Sequence, residues 1–211
     1  MRAILAVLWI CLLTACSGTP DLTPARQKSA ELPDIMAKAN AALSRGDYAE
    51  ALRLNFSAAE LGDPQAQNNL GAFYTDGMGV VVPNAEEAMK WYRLAASGGN
   101  VQAKKNIGDL YVAATVPPNC KDKLSGAVSL GCFWVADPND NAKFLDAMKW
   151  YQEAALAGHA GAMTNIGWLY ASGYGVKQDC GLAKQWLVKA AAGGNQSAVN
   201  NLKSGIGRCS W

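Results

Sequence analysis

Six cysteines and one histidine are the side chains of this 211-residue chain best suited to covalent or metal chemistry. Cys11 lies within an apolar run and Cys16 just beyond it, whereas Cys120, Cys132, Cys180 and Cys209 are spread through the body of the chain. An even set of four suits disulfides in an oxidising compartment, with three possible connectivities. The expected pairing is Cys120 with Cys132, closing one irregular segment, and Cys180 with Cys209, pinning the last helix. Zinc is disfavoured, because no Cys-x-x-Cys pair exists and His159 is the only histidine. Hydrolytic chemistry fares no better. No serine has a lysine three residues on, no His-Glu-x-x-His occurs, and one histidine leaves no plausible triad. No catalytic residue, metal or cofactor is therefore expected. His159 is read as a helix cap or surface residue, since it follows Gly158 as Asp63, Asn100 and Asn195 follow their own glycines.

The amino terminus carries a different chemistry. Arg2 precedes an apolar run from Ile4 to Leu13, too short to span a bilayer and laid out like a secretory signal. Leu13-Thr14-Ala15-Cys16 resembles a bacterial lipobox, in which Cys16 becomes the acylated first residue of the mature protein. Ser17, rather than Asp, follows the cysteine, which in bacterial lipoproteins permits transfer to the outer membrane. Acyl chains would hold the protein at a membrane without any transmembrane helix. Residues 1–15 are thus expected to be a signal peptide and 16–31, with Pro20, Pro24 and many polar residues, a flexible tether.

What positions the remaining residues is a repeat. From Gly62 the chain reads Gly62-Asp63-Pro64-Gln65-Ala66, Asn69-Leu70-Gly71, Tyr74, Gly77-Met78-Gly79-Val80, Ala88, Trp91-Tyr92 and Ala95-Ala96 before Gly99. Ala66, Leu70 and Tyr74 are four apart and line one face of a first helix, with Asp63 as N-cap and Pro64 at its first position. Ala88, Trp91-Tyr92 and Ala95-Ala96 give a second helix the same apolar spacing, so the two must pack as a hairpin. Gly71 within a helix requires a reason, and close approach of neighbouring helices supplies one. The starting glycines Gly62, Gly99, Gly158 and Gly194 are 37, 59 and 36 residues apart. Ala66, Ala103, Ala162 and Ala198 recur at one offset, Gly71, Gly108 and Gly167 at the next, then Tyr74, Tyr111 and Tyr170. In the second helices the same holds for Leu54, Trp91, Trp150 and Trp186. A shorter hairpin from Asp34 to Leu61, turning at Gly46-Asp47, opens the array as its cap.

At these residues the sequence resembles the Sel-one-like repeat family, relatives of the tetratricopeptide repeats, over about residues 34 to 204. The resemblance implies an all-α fold, a right-handed α-solenoid of helix-turn-helix repeats over residues 32–205. It also implies use in protein–protein contact, with no common catalytic residue. Some cysteine-rich members have been described as β-lactamases, so a cell-wall-directed hydrolase is the enzymatic alternative, and a peptidoglycan-associated structural lipoprotein is another.

Several features lie outside or beside the repeat signature. Residues 112–143 form an irregular, disulfide-bearing insertion in the middle repeat, where Gly-x-Gly-Val is missing after Tyr111. It holds Phe133 and Trp134, either a partner-binding tip or packing onto the solenoid, and Asp137-Pro138-Asn139-Asp140-Asn141, which lacks the Gly and Glu of a calcium loop. Gly77-Met78-Gly79-Val80 and Gly173-Tyr174-Gly175-Val176 lack the lysine and preceding strand of a phosphate loop and read as turns whose valines plug the core. Asn69, Asn106 and Asn165 stand two residues before the helical glycines, with Asn201 in the corresponding place of the last helix. Stacking makes them a ladder of amides able to hydrogen-bond an extended peptide; alternatively each ties down its own repeat. Trp168 is expected on the outer side of its helix, where its counterparts are Ala72 and Asp109, as an exposed aromatic anchor. Residues 206–211 form a tail.

The net charge is +2 and no basic cluster stands out, so nucleic acid is not an expected partner. The expected protein is a lipid-anchored, periplasm-facing scaffold in the envelope of a Gram-negative bacterium, binding other envelope proteins.

Overall fold

The computed structural model describes residues 24–79, 82–115 and 140–211. Cys16, Cys120, Cys132, Phe133, Trp134 and Val80 lie outside the described residues. The described chain is all-helical: α1 (Pro24–Ser44), α2 (Tyr48–Glu60), α3 (Pro64–Asp76), α4 (Ala85–Ser97), α5 (Val101–Ala113), α6 (Asn141–Leu156), α7 (Ala160–Ser172), α8 (Cys180–Ala192) and α9 (Gln196–Ser204). Consecutive helices pack against one another throughout, as an α-solenoid requires.

Each first helix is capped by the residue after the repeat-opening glycine and starts one residue further on, and the cap is local chemistry. Asp63, Asn100 and Asn195 accept from the backbone N–H groups of Ala66, Ala103 and Ala198. The glycine before each cap has positive φ, between 83° and 88°, which closes the preceding helix and turns the chain back. The second helices α4 and α8 are capped by Asn84 and Asp179.

The core is a row of small alanines with larger residues between them. Ala66, Leu70, Ala88, Ala95, Ala103, Ile107, Ala147, Ala154, Ala162, Ile166, Ala183 and Leu187 are all fully buried. The helical glycines are explained by a ring rather than by the approach of two backbones. A β-carbon on Gly71 would overlap the Tyr92 ring, and one on Gly108 the Tyr151 ring. In the last repeat Leu187 takes the tyrosine's place, and a β-carbon on Gly167 would lie 3.1 Å from its Cγ.

Two boundaries differ from expectation. The first helix begins at Pro24, so residues 24–31 of the expected tether are helical; Pro33 is accommodated within α1 on its exposed side. The insertion is narrower than residues 112–143, because α5 continues to Ala113 and α6 begins at Asn141. Lys143 clasps its two ends, donating to the Ala114 carbonyl at 3.2 Å and pairing with Asp140. The helices that flank the insertion thus pack as an otherwise regular hairpin.

The Gly-x-Gly loops fasten each repeat to its predecessor. Gly79 sits against the Tyr48 backbone at the start of α2, and Gly175 against Phe144 and Leu145 of α6, donating to the Asn141 side chain. At the start of α8 the partner is the folded-back tail, through the disulfide Cys180–Cys209, with Cα atoms 5.5 Å apart. Arg208 N–H donates to the Ala171 carbonyl, Ile206 and Cys209 exchange backbone hydrogen bonds, and Trp211 packs under α8 and α9.

Candidate partner-binding surface

The asparagines do form a ladder, but its amides bond to one another across repeats. In the first unit, Asn100 Nδ2 donates to Gln65 Oε1 at 3.2 Å, Gln65 Nε2 to Asn69 Oδ1 at 2.9 Å, and Asn69 Nδ2 to Asn55 Oδ1 at 2.9 Å. Asn55, fully buried, ends the relay on the Ala51 carbonyl. One repeat further on, His159 Nε2 meets Gln102 Oε1 at 2.8 Å, Gln102 Nε2 donates to Asn106 Oδ1 at 2.8 Å, and Asn106 Nδ2 to buried Asn68 at 3.0 Å. The element order explains the recurrence. A glutamine at the second helical position lies one turn before the asparagine, and the next repeat's cap falls beside it. Each of these asparagines is therefore tied to the preceding repeat, not to a loop of its own.

The third rung differs. Asn165 Nδ2 donates to Asp109 Oδ1 at 3.0 Å, and the same oxygen accepts from the buried Tyr151 hydroxyl at 2.8 Å, while Lys105 pairs with Oδ2. Asp109 thus joins α5, α6 and α7. Burial, the neighbouring Asp109 charge and the hydrogen bond to it all hold the Tyr151 hydroxyl in its neutral form, its pKa well above the usual phenol range. Tyr92, in the equivalent position one repeat earlier, bonds Thr75 Oγ1 at 3.3 Å and is pushed up to about 12, chiefly by burial. Asn201 enters through its backbone, its carbonyl accepting from Trp211 Nε1 at 3.3 Å.

His159 is the cap of α7, its Nδ1 accepting from the Ala162 N–H at 3.1 Å. Trp168 does not stand out as an exposed anchor. It is half-buried, 6.3 Å from the Phe144 ring and edge-on to Tyr174 at 5.3 Å. Phe144 stands in the first turn of α6 and the Gly-x-Gly loop brings Tyr174 over it, so an apolar shelf covers the position. Exposed apolar side chains lie elsewhere, on the second helices: Leu94, Leu145, Leu182 and Val188. A groove of about 540 Å³ on α8 is lined by Gly181, Lys184, Gln185, Val188 and Lys189.

Sequence reasoning found the asparagines but missed their partners Gln65, Gln102, Asn55, Asn68 and Asp109. The glutamines carry a signal, since both precede the ladder asparagine by four residues. Asp109 carries none, because its counterparts are Ala72 and Trp168. Among the described residues no group of three or more His, Cys, Asp or Glu side chains is placed to hold a metal ion, and no helix is long and apolar enough to cross a membrane.

Capped hairpins with glycine under a tyrosine ring, stacked through amide rungs, define a repeat solenoid. The Sel1 repeat model matches residues 64–100, 138–159 and 160–195. The chain carries Sel1 repeats within an all-helical solenoid. It is 26% identical to a protective antigen with an SLR fold from uropathogenic Escherichia coli, superimposing with a TM-score of 0.62 over 87% of this chain and 36% of that one. A Sel1 repeat protein from Oxalobacter formigenes is 29% identical, with a TM-score of 0.58 over 88% of this chain and 70% of that one. Among curated proteins, the chitin synthase regulator SKT5 of Saccharomyces cerevisiae is 28% identical over 156 residues, 66% of this chain. The chain spans 22% of that regulator's length. Sel1-repeat proteins are typically protein–protein interaction scaffolds and generally non-enzymatic.

Proposed function

We propose that this protein is a lipid-anchored scaffold whose Sel1-repeat solenoid holds partner proteins in the bacterial periplasm. The observation that carries the reading is the conjunction of Leu13-Thr14-Ala15-Cys16 with the repeats that begin beyond it. A cysteine acylated at position 16 joins the solenoid to a membrane through residues that carry no repeat signature. Partners are other envelope proteins. A regulator among the curated relatives, named for its action on another protein, fits an adaptor role.

The face built by α3, α5 and α7 is the surface assigned to the partner. Asn69 and Asn106 each spend one N–H and one lone pair on their neighbours, and a carboxamide has a second of each. Asn69, Asn106 and Asn165 are half-buried, so these groups lie at the surface rather than within the core. An extended peptide along the row meets alternating donors and acceptors already held in place, which lowers the ordering cost of binding. Phe133 and Trp134 of the insertion supply apolar contact with the partner.

Two measurements test the reading. Labelled palmitate is incorporated into the wild-type chain and lost in Cys16→Ser, with the protein moving from the membrane to the soluble envelope fraction; label retained in the variant overturns the anchor. Capture from detergent-solubilised envelopes, run with wild type and with a chain lacking residues 116–139, addresses the scaffold. A discrete, stoichiometric partner supports it. No partner with either chain returns the protein to a structural or hydrolytic role, which turnover of a chromogenic β-lactam or pelleting with sacculi distinguishes.

A further inference from the structure

The joint between the second and third matched repeats differs chemically from the others. It falls at His159, the last residue of the 138–159 match. The first helices α3, α5 and α9 are capped by Asp63, Asn100 and Asn195, each through a side-chain oxygen. At α7 the cap is an imidazole nitrogen.

Both ring nitrogens are committed, and in opposite senses. Nδ1 accepts from the Ala162 N–H at 3.1 Å, so it must be unprotonated. Nε2 must then carry the proton it donates to Gln102 Oε1 at 2.8 Å, across the joint to α5. Gln102 continues through Asn106 to Asn68, so one imidazole tautomer ties α7 to α5 and α3. Gly161 leaves room for the ring, since a β-carbon there would lie 3.0 Å from His159 Cε1.

We propose that His159 is an acid-responsive joint: protonation uncaps α7 and loosens the third repeat from the second. A proton on Nδ1 sets an N–H against the Ala162 N–H, and the imidazolium sits at a helix amino terminus, where positive charge is disfavoured. The Nε2 bond to Gln102 survives, so the ring pivots on one bond instead of bracing two elements.

The surrounding charges favour release. Lys105 on α5 opposes protonation and Asp109 on the same helix favours it, but those two are paired with each other. Glu153 on α6 is paired with Lys104. Helix α7 has no charged residue of its own, and α9 brings only the neutral Asn195 near Gly161. Burial and Lys105 together lower the imidazole pKa below its ordinary 6.5. The unfolded chain therefore binds the proton first as pH falls. The cap's contribution is full above the unfolded pKa of about 6.5 and is lost as pH descends through the folded value.

The test is amide hydrogen exchange on the intact chain at pH 7.5 and pH 5, corrected for intrinsic rates. Protection of the Ala162 and Met163 amides is expected to fall roughly five-fold at pH 5, the size of a lost cap. The equivalent Ala103 and Ala198 amides serve as internal references and should hold. His159→Asn, which installs the cap found at α5 and α9, should remove the pH dependence and leave the helical content unchanged. Equal protection at the two pH values in wild type, or an undiminished pH effect in H159N, overturns the proposal. Should H159N fail to fold, imidazole titration of the wild type by NMR decides. An Ala162 amide shift that tracks the His159 titration supports the joint, and one that ignores it overturns it.

Discussion

Gly108 lies beneath the ring of Tyr151 so closely that a β-carbon would overlap ring atoms Cε1 and Cδ1. Tyr151 is buried and cannot tilt away, because its hydroxyl is held 2.8 Å from Asp109. Gly108→Ala is therefore expected to destabilise the chain by about 1–3 kcal/mol, despite alanine's better helix propensity. Gly167→Ala, facing the aliphatic Leu187, should cost clearly less. Urea denaturation of both variants checks the ranking, and equal midpoints would show that the ring is not what excludes the β-carbon.

Removing the Asp109 carboxylate strands two donors at once. In Asp109→Ala the Tyr151 hydroxyl and the Asn165 amide lose their acceptor in a half-buried site, and a loss of about 1–3 kcal/mol is expected. Asp109→Asn keeps an acceptor oxygen and should lose less. A double-mutant cycle with Tyr151→Phe should yield a coupling energy above about 0.5 kcal/mol, because the two groups share one hydrogen bond.

Alkaline stability follows from the buried phenols. The Tyr92 pKa rises from its ordinary 10.0 to about 12 on folding, mainly through burial. An acid whose folded pKa is raised is neutral in the fold and ionises first in the unfolded chain. The stabilisation is complete below pH 10 and is lost as pH climbs from 10 towards 12. Tyr151 acts in the same sense. Tyr92→Phe should flatten the fall of melting temperature above pH 10, at the cost of its bond to Thr75.

The Cys180–Cys209 bridge spans 29 residues, and its loss is expected to lower stability by about 2–4 kcal/mol, largely through the freed unfolded chain. Cys209→Ala should also release the Arg208 and Trp211 contacts of the tail before the rest of the solenoid unfolds. Tryptophan fluorescence and circular dichroism, followed together with temperature, should then separate into two transitions.

The repeat was legible because its causes are local. A glycine with positive φ, a capping oxygen one residue on and alanines every fourth residue recur as spelled, and Ala66, Ala103, Ala162 and Ala198 are all fully buried. The helix-breaking role of Gly77 and Gly173, both left-handed C-caps, was likewise written in the chain. Trp168 was misread because counting along one helix places it outward. Its cover comes from Phe144 at the start of one helix and Tyr174 in a loop, neither of them neighbours on its own helix. The start of α1 was misread because proline and polar residues suggest a tether, whereas Pro24 is the first helical residue and Pro33 lies on an exposed side.

The sequence by itself determined the hairpin, its caps and its period, since each depends on residues within one repeat, where spacing alone sets which side chains share a face. It pointed to His159 as a cap or surface residue, and the fold makes it the cap of α7. Tertiary structure alone decided who bonds to whom across repeats: that Asn106 reaches Asn68, that Asp109 gathers Tyr151 and Asn165, and that a tyrosine ring fills the space under Gly108. Those partners are set by the rotation of one repeat on the next. That rotation is a property of packed surfaces and has no fixed offset in the chain.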